Sequence, residues 1–107
     1  MNVRQFYNKN QFVITDYDGT NNTYYLQSYD SIVAKIDKKG LLTFGADWDY
    51  SKTTLKHLYL FLHDYKNAIT TNYLQYGTIT KLNNATNKKA FLQLAIKNKI
   101  IKVNNNL

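Results

Sequence analysis

Residues 51–66 have the sequence SKTTLKHLYLFLHDYK and carry the clearest helical pattern of the chain. Their apolar residues recur at intervals of three and four, as they do on the buried side of an α-helix. These residues are Leu55, Leu58, Tyr59, Leu62 and Tyr65. Ser51 precedes the pattern and suits an N-cap, because its hydroxyl can accept a hydrogen bond from an amide of the first turn. The pattern predicts a central helix over about 51–66 with one buried face.

The sequence before this helix favours β-strands. Residues 11–15 and 23–28 are rich in β-branched and aromatic residues, and the turn-forming segment 16–22 separates them, which predicts a hairpin. Residues 31–37 and 41–44 predict two further strands with a short connection. Because short connections join antiparallel neighbours, we expect an antiparallel meander of three to four strands packed by the helix.

The two ends of the chain complete the predicted topology. Apolar residues at helical spacing predict a short helix over residues 2–9 and a C-terminal helix over about 86–98. Residues 68–84 are ambiguous between a helix and a strand, and residues 100–103 are a candidate short strand. The prediction is an α+β fold in a single domain spanning 1–107.

Composition limits the class of protein. The chain has 107 residues, of which 44% are apolar, so it can bury a core of ordinary size. It has no cysteine, which excludes disulfide scaffolds, thiolate metal sites and cysteine nucleophiles. The N-terminus lacks the apolar core of a signal peptide, and no apolar run approaches the length of a membrane span. We expect a cytoplasmic protein.

The net charge of +7 is distributed unevenly. Residues 1–64 contain as many cationic as anionic side chains, whereas residues 65–107 contain lysines and no acid. Such asymmetry is typical of a protein that contacts an acidic partner, often nucleic acid, although a solvated lysine-rich face is an equally good interpretation. The candidate contacts are Lys88, Lys89, Lys97, Lys99 and Lys102.

The sequence shows no recognisable catalytic or metal-binding set. His57 and His63 lie six residues apart on the predicted helix, so they face different sides and cannot share a metal ion. Asp47 and Asp49 are close enough for a weak divalent-cation site, but Asp49 also suits the start of the helix, where the dipole favours a carboxylate. We predict no enzyme activity, no cofactor and no metal.

Ten tyrosines form the remaining chemical feature. Tyr24 and Tyr25 are adjacent in a predicted strand and should point to opposite faces of the sheet. Exposed tyrosines are favoured at protein interfaces, and beside lysines they can stack on nucleobases. Tyr24, Tyr25 and Tyr29 are therefore candidate binding residues, and the alternative is that they only fill strand positions.

Two stretches carry a resemblance to other proteins: QSYDSIVA at residues 27–34 and WDYSKTTLKHLYLFL at residues 48–62. They resemble segments of small uncharacterised proteins encoded by phages and plasmids of low-GC bacteria, and the resemblance covers roughly residues 5–66. Such proteins often lie among accessory genes that counter host defences, including anti-CRISPR loci.

The resemblance implies a non-catalytic accessory protein that binds and inhibits a host defence factor, a protein or ribonucleoprotein such as a CRISPR effector. The alternative hypothesis is a small basic nucleic-acid-binding module or regulator. A third hypothesis is a small hydrolase or nuclease that uses Asp47 and Asp49 with a divalent metal ion.

Overall fold

A computed structural model of the protein describes residues 2–69, 81–82 and 84–107. The elements with described bounds are six strands, two α-helices and one turn of 3₁₀-helix, and Lys81 and Leu82 are also helical. The strands are β1 (Asn2–Phe6), β2 (Asn8–Tyr17), β3 (Asn22–Ser28), β4 (Ser31–Ile36), β5 (Leu42–Gly45) and β6 (Lys102–Asn104). The helices are α1 (Lys52–Asp64) and α2 (Lys88–Lys97), and the 3₁₀ turn is Lys66–Ala68. The fold is α+β, and among the described residues no helix is long and apolar enough to cross a membrane.

The six strands form one open sheet in the order β1-β2-β3-β4-β5-β6. The first five follow the chain as an antiparallel meander, and β6 adds to β5 in parallel. The expected meander is therefore present, but three to four strands were too few. The two additional strands, β1 and β6, are the edges of the sheet.

The predicted helix over residues 2–9 is wrong, because this segment forms β1 and the beginning of β2. Phe6 is buried in the core, whereas Val3 is 55% exposed on the other face, so the two do not share a helical stripe. A segment this short gains little as an isolated helix, while pairing with β2 satisfies its backbone. Tyr7, with a φ of 63°, reverses the chain between the two strands.

The central helix is confirmed as α1, with Ser51 as its N-cap. Its buried face is centred on Leu58, Phe61 and Leu62, and the predicted stripe residues Leu55 and Tyr59 lie at the margins of that face. The helix packs on the inward-facing residues of the sheet to form one core cluster. The core includes Phe6, Val13, Leu26, Val33, Ala34, Ile36, Leu42, Phe44, Trp48, Leu58, Phe61 and Leu62.

The C-terminal helix is confirmed as α2, and the Asn87 side chain caps it by accepting a hydrogen bond from the Ala90 amide at 3.0 Å. Leu92 and Ala95 join its inner side to the same core cluster. The strand expected near residues 100–103 is present as β6. Most of residues 68–84, which the sequence left ambiguous, lie outside the described residues, but Lys81 and Leu82, whose alternation suggested a strand, are helical.

Candidate functional site: a groove beside the start of helix α1

A surface groove of about 640 Å³ lies between the turn that joins β3 to β4 and the segment that leads into α1. Its lining comprises Ser28, Tyr29, Asp30, Ser31, Val33, Asp47, Tyr50, Ser51, Thr53 and Thr54. A volume of this size lies within the range of pockets that hold small molecules or a few side chains.

Local geometry builds both walls of the groove. Ser28 pairs with Ser31, so β3 and β4 are joined by a two-residue turn in which Tyr29 has a φ of 54°. A positive φ at this position matches the twist of a tight hairpin. On the opposite wall, the Trp48 ring stacks on Phe44 with ring centroids 5.4 Å apart and anchors the segment before α1.

The floor of the groove is formed by Ser28, Ser51 and Thr54, which belong to a hydrogen-bonded series of polar side chains that also includes the buried Gln11 and connects the sheet to α1. Gln11 Nε2 donates to Ser28 Oγ at 2.9 Å, and Ser28 Oγ lies 3.1 Å from Thr54 Oγ1. Ser51 Oγ donates to Thr54 Oγ1 at 3.1 Å and accepts from the Thr54 amide at the same distance. The N-cap of α1 is therefore part of the groove floor.

The hydroxyl groups of Ser28, Ser51 and Thr54 have three hydrogens, and the two contacts among these groups use only two of them. The Ser51 hydroxyl donates to Thr54, and either Ser28 or Thr54 donates in the contact between those two. Among the described residues, the remaining O–H group of Ser28 or Thr54 has no acceptor. Both side chains are buried and line the groove, so the floor offers one hydrogen-bond donor to a ligand.

The rim of the groove is aromatic and acidic. Tyr29 is 50% exposed and Tyr50 is 76% exposed. Asp47 accepts a hydrogen bond from Ser31 Oγ at 3.0 Å, and Asp30 is exposed in the β3–β4 turn. The groove thus has carboxylates at its rim although the chain as a whole carries a charge of +7.

The histidines and the paired aspartates do not form a common site. The buried His57 uses Nδ1 for a 2.8 Å hydrogen bond with the Thr53 carbonyl, so it supports the first turns of α1. Asp49 lies 4.0 Å from Lys89 Nζ, whereas Asp47 contacts Ser31. Within residues 2–69, 81–82 and 84–107 no three histidine or acidic side chains are grouped to hold a metal ion. The groove therefore offers hydrogen bonding, aromatic contact and negative charge.

The structure separates the three predicted tyrosines. Tyr29 lies in the groove, whereas the Tyr24 ring packs 4.9 Å from the Tyr65 ring on the helix side of the sheet. Tyr25 points to the opposite face, where Lys35 Nζ lies 5.8 Å from its ring centroid. The expectation that Tyr24 and Tyr25 face opposite ways is confirmed.

The five predicted lysines do not gather into one patch. Lys88 and Lys89 begin α2, while Lys97 and Lys99 lie at its other end, about 15 Å away for a helix of this length. Lys102 is on the edge strand β6. The lysine-rich end of the chain is therefore spread over at least two surfaces.

Sequence reasoning did not predict the lining residues Ser28, Tyr50 and Thr54 as binding residues, nor the buried Gln11 that donates to Ser28. One signal was available, because the two stretches 27–34 and 48–62 form its opposite walls and contain every lining residue except Asp47. Neither stretch by itself indicates that the two meet in space.

The fold and the groove together define a small α+β domain with an open sheet, helices on one face and a preformed groove with hydroxyl groups on its floor. The model of a family of unknown function (DUF8033) matches residues 1–76, and the chain belongs to this family. No curated protein and no solved structure matches it. The matched range includes both walls of the groove and ends before α2 and its lysines.

Proposed function

We propose that the protein is a non-catalytic binding module that docks a segment of a protein partner in the groove. In this proposal it is a phage or mobile-element accessory protein that acts in the host cytoplasm and inhibits a host defence factor, such as a CRISPR effector. The observation that carries the proposal is the pair of exposed tyrosines on the rim of a preformed groove with an unused hydroxyl donor.

Tyr29 and Tyr50 are suited to anchoring a partner. Tyrosine offers a large contact area with few rotatable bonds, and it is enriched among the residues that dominate binding energy. The tight turn fixes the backbone of Tyr29, and the segment held by Trp48 fixes that of Tyr50. Binding would therefore order little additional backbone, which limits its entropic cost.

The charges of the groove favour a basic segment of the partner. The carboxylates of Asp30 and Asp47 would attract a lysine or arginine side chain, and the tyrosine rings could contact the same cation. The unused hydroxyl of Ser28 or Thr54 would donate to a backbone carbonyl of the segment. Because the groove lies within the family-matched range, this function would belong to the family and not only to this chain.

The test is capture of a partner by variants of the rim. We expect the tagged protein to retain a partner from a low-GC bacterial lysate, and Tyr50→Ala to weaken binding of the identified partner about 30-fold, as loss of an interface anchor does. Tyr17→Ala is the matched control, because Tyr17 is 60% exposed on the β2–β3 hairpin away from the groove. For an effector, inhibition of its cleavage activity should follow the same order.

Two results would contradict the groove as the binding site. In one, Tyr50→Ala and Tyr17→Ala retain the partner equally well. In the other, a charge reversal at Asp47 strengthens binding, which would mean that the partner is acidic at this position. Thermal unfolding of each variant verifies that lost binding does not reflect a lost fold.

A further inference from the structure

The sheet has a second surface, the outer face, which is the face opposite the helices. Strand register places one residue from each of the six strands in a single row across it. The row is Val3, Ile14, Tyr25, Lys35, Thr43 and Lys102. Because neighbouring strands are about 4.8 Å apart, the row runs for roughly 24 Å across the sheet.

The outer face lies outside the hydrophobic core. Phe12, Ile14, Tyr25 and Ile32 are only half-buried, and none of them belongs to the core cluster or packs against it. Their neighbours along the strands, such as Val13 and Leu26, are fully buried under the helices. Within the part of the chain that the structure describes, α1 and α2 both join the core from the other face.

The chemistry of the outer face changes along the row. Apolar and aromatic side chains occupy β1 to β3, and lysines occupy β4 and β6. Lys35 Nζ lies 5.8 Å from the Tyr25 ring centroid, and Lys102 follows two strands further along the same row. Phe12 lies on the strand next to Tyr25, opposite Gln27. An acid, Asp16, lies on this face opposite Thr23, on the far side of Tyr25 from Phe12.

We propose that the outer face binds single-stranded nucleic acid. Unpaired bases would stack on the half-buried rings of Tyr25 and Phe12, as they do on the aromatic residues of other open sheets, and Lys35 and Lys102 would contact the backbone phosphates. Arg4, the only arginine of the chain, points to the helix side and donates to the Tyr65 hydroxyl at 2.7 Å. No guanidinium group is therefore available on the outer face for paired hydrogen bonds to a base. Binding would therefore tolerate many sequences.

Charge argues against a second copy of the chain as the occupant. Two molecules with a charge of +7 each repel one another, and symmetric pairing would bring the lysine rows close together. A duplex is also a poor fit, because its bases are already stacked on one another and cannot reach the rings. The outer face is separate from the groove, so either surface can function without the other.

The first measurement is fluorescence anisotropy with labelled oligothymidine and oligouridine of roughly 12 nucleotides, a length suited to one small domain. The double variant K35Q/K102Q removes the row cations. Its control, K52Q/K56Q, removes the same charge from exposed positions of α1. We expect the first pair to weaken binding at least about tenfold and to lower the slope of log K against log salt by about 1.4, and the control to stay within about twofold.

Stacking is tested separately at Tyr25. Tyr25→Val keeps a residue that favours strands but removes the ring, and it should weaken binding roughly tenfold. Tyr25→Phe retains the ring and should bind like the original protein. Melting temperatures of all variants verify that the sheet is intact.

Several outcomes would overturn this proposal. One is a failure of both oligonucleotides to bind at about 50 mM salt, and another is an equal loss of affinity for K35Q/K102Q and K52Q/K56Q. The others are unchanged binding by a folded Tyr25→Val variant and a duplex that binds as tightly as the single strands. None of these results bears on Tyr50 or the groove, so the two proposals fail independently.

Discussion

Gly45→Ala is expected to lower the free energy of unfolding by about 3 kcal/mol or more. Gly45 is buried at the end of β5, where β4 passes close to its Cα. A Cβ atom at this position would overlap the backbone carbonyl oxygen of Ile32 and lie 3.2 Å from its carbonyl carbon. Backbone atoms cannot rotate away as a side chain can, so β4 and β5 would have to separate locally. Urea unfolding at neutral pH measures the loss.

Gly19→Ala is the matched control for this prediction. Gly19 lies in the β2–β3 turn with a φ of 95°, and an added Cβ would have no atom within 4 Å. Its substitution therefore costs only the strain of a left-handed backbone, about 1–2 kcal/mol. Equal losses for the two variants would show that the β4–β5 contact near Gly45 yields easily, and the prediction would be wrong.

Gln11→Glu is expected to make stability strongly dependent on pH. Gln11 is fully buried and donates to Ser28 Oγ, so a glutamate of the same shape would place a carboxyl group in the core. Burial disfavours the charged form and raises the pKa of the carboxyl group above its unfolded value of about 4.3. The variant should therefore approach normal stability below about pH 4, where the neutral carboxyl can itself donate to Ser28.

The loss of stability in Gln11→Glu grows as pH rises through the raised pKa of the carboxyl group in the folded state. For an elevation of two pKa units, the free energy of unfolding at neutral pH falls by about 2.7 kcal/mol relative to its value in acid. The measurement is urea unfolding of the variant and the original protein at about pH 4, 5.5 and 7, compared at each pH.

Two controls isolate the buried charge. Gln5→Glu makes the same substitution at an exposed position of β1 and should change stability by less than about 0.5 kcal/mol at any pH. Gln11→Met removes the polar group, and because Gln11 Oε1 lacks a hydrogen-bond partner among the described residues, its cost should be small and independent of pH. A loss for Gln11→Glu that does not vary with pH would indicate a hydrated site and refute the argument.

Local patterns predicted the parts of the fold that local physics determines. Helix α1 follows from its apolar period and from Ser51, and the β2–β3 hairpin follows from the turn residues between two β-prone runs. Strand β1 could not be predicted in this way. The spacing of Val3 and Phe6 suits a helix. A strand is favoured because this segment can pair with the otherwise free edge of β2, which its own sequence does not indicate.

The candidate site was less predictable, because it depends on contacts between distant segments. Gln11 precedes an apolar run and has the polar character of a solvent-facing strand residue, yet it faces inward opposite Ser28. Lys35 is a single cation within an apolar strand and gave no charge signal. The role proposed for it on the outer face emerges only from the register that aligns it with Tyr25 and Lys102.

The parallel pairing of β6 with β5 has a consequence for solubility. Without β6, the edge of β5 that does not pair with β4 would expose unpaired amides and carbonyls next to the buried Leu42 and Phe44. Such an edge is a template for aggregation. The strand that covers this edge is three residues long and carries Lys102, and natural sheets use such short, charged strands to prevent further addition. In this chain a segment beyond the family-matched residues thus shields the sheet that those residues form from pairing between molecules.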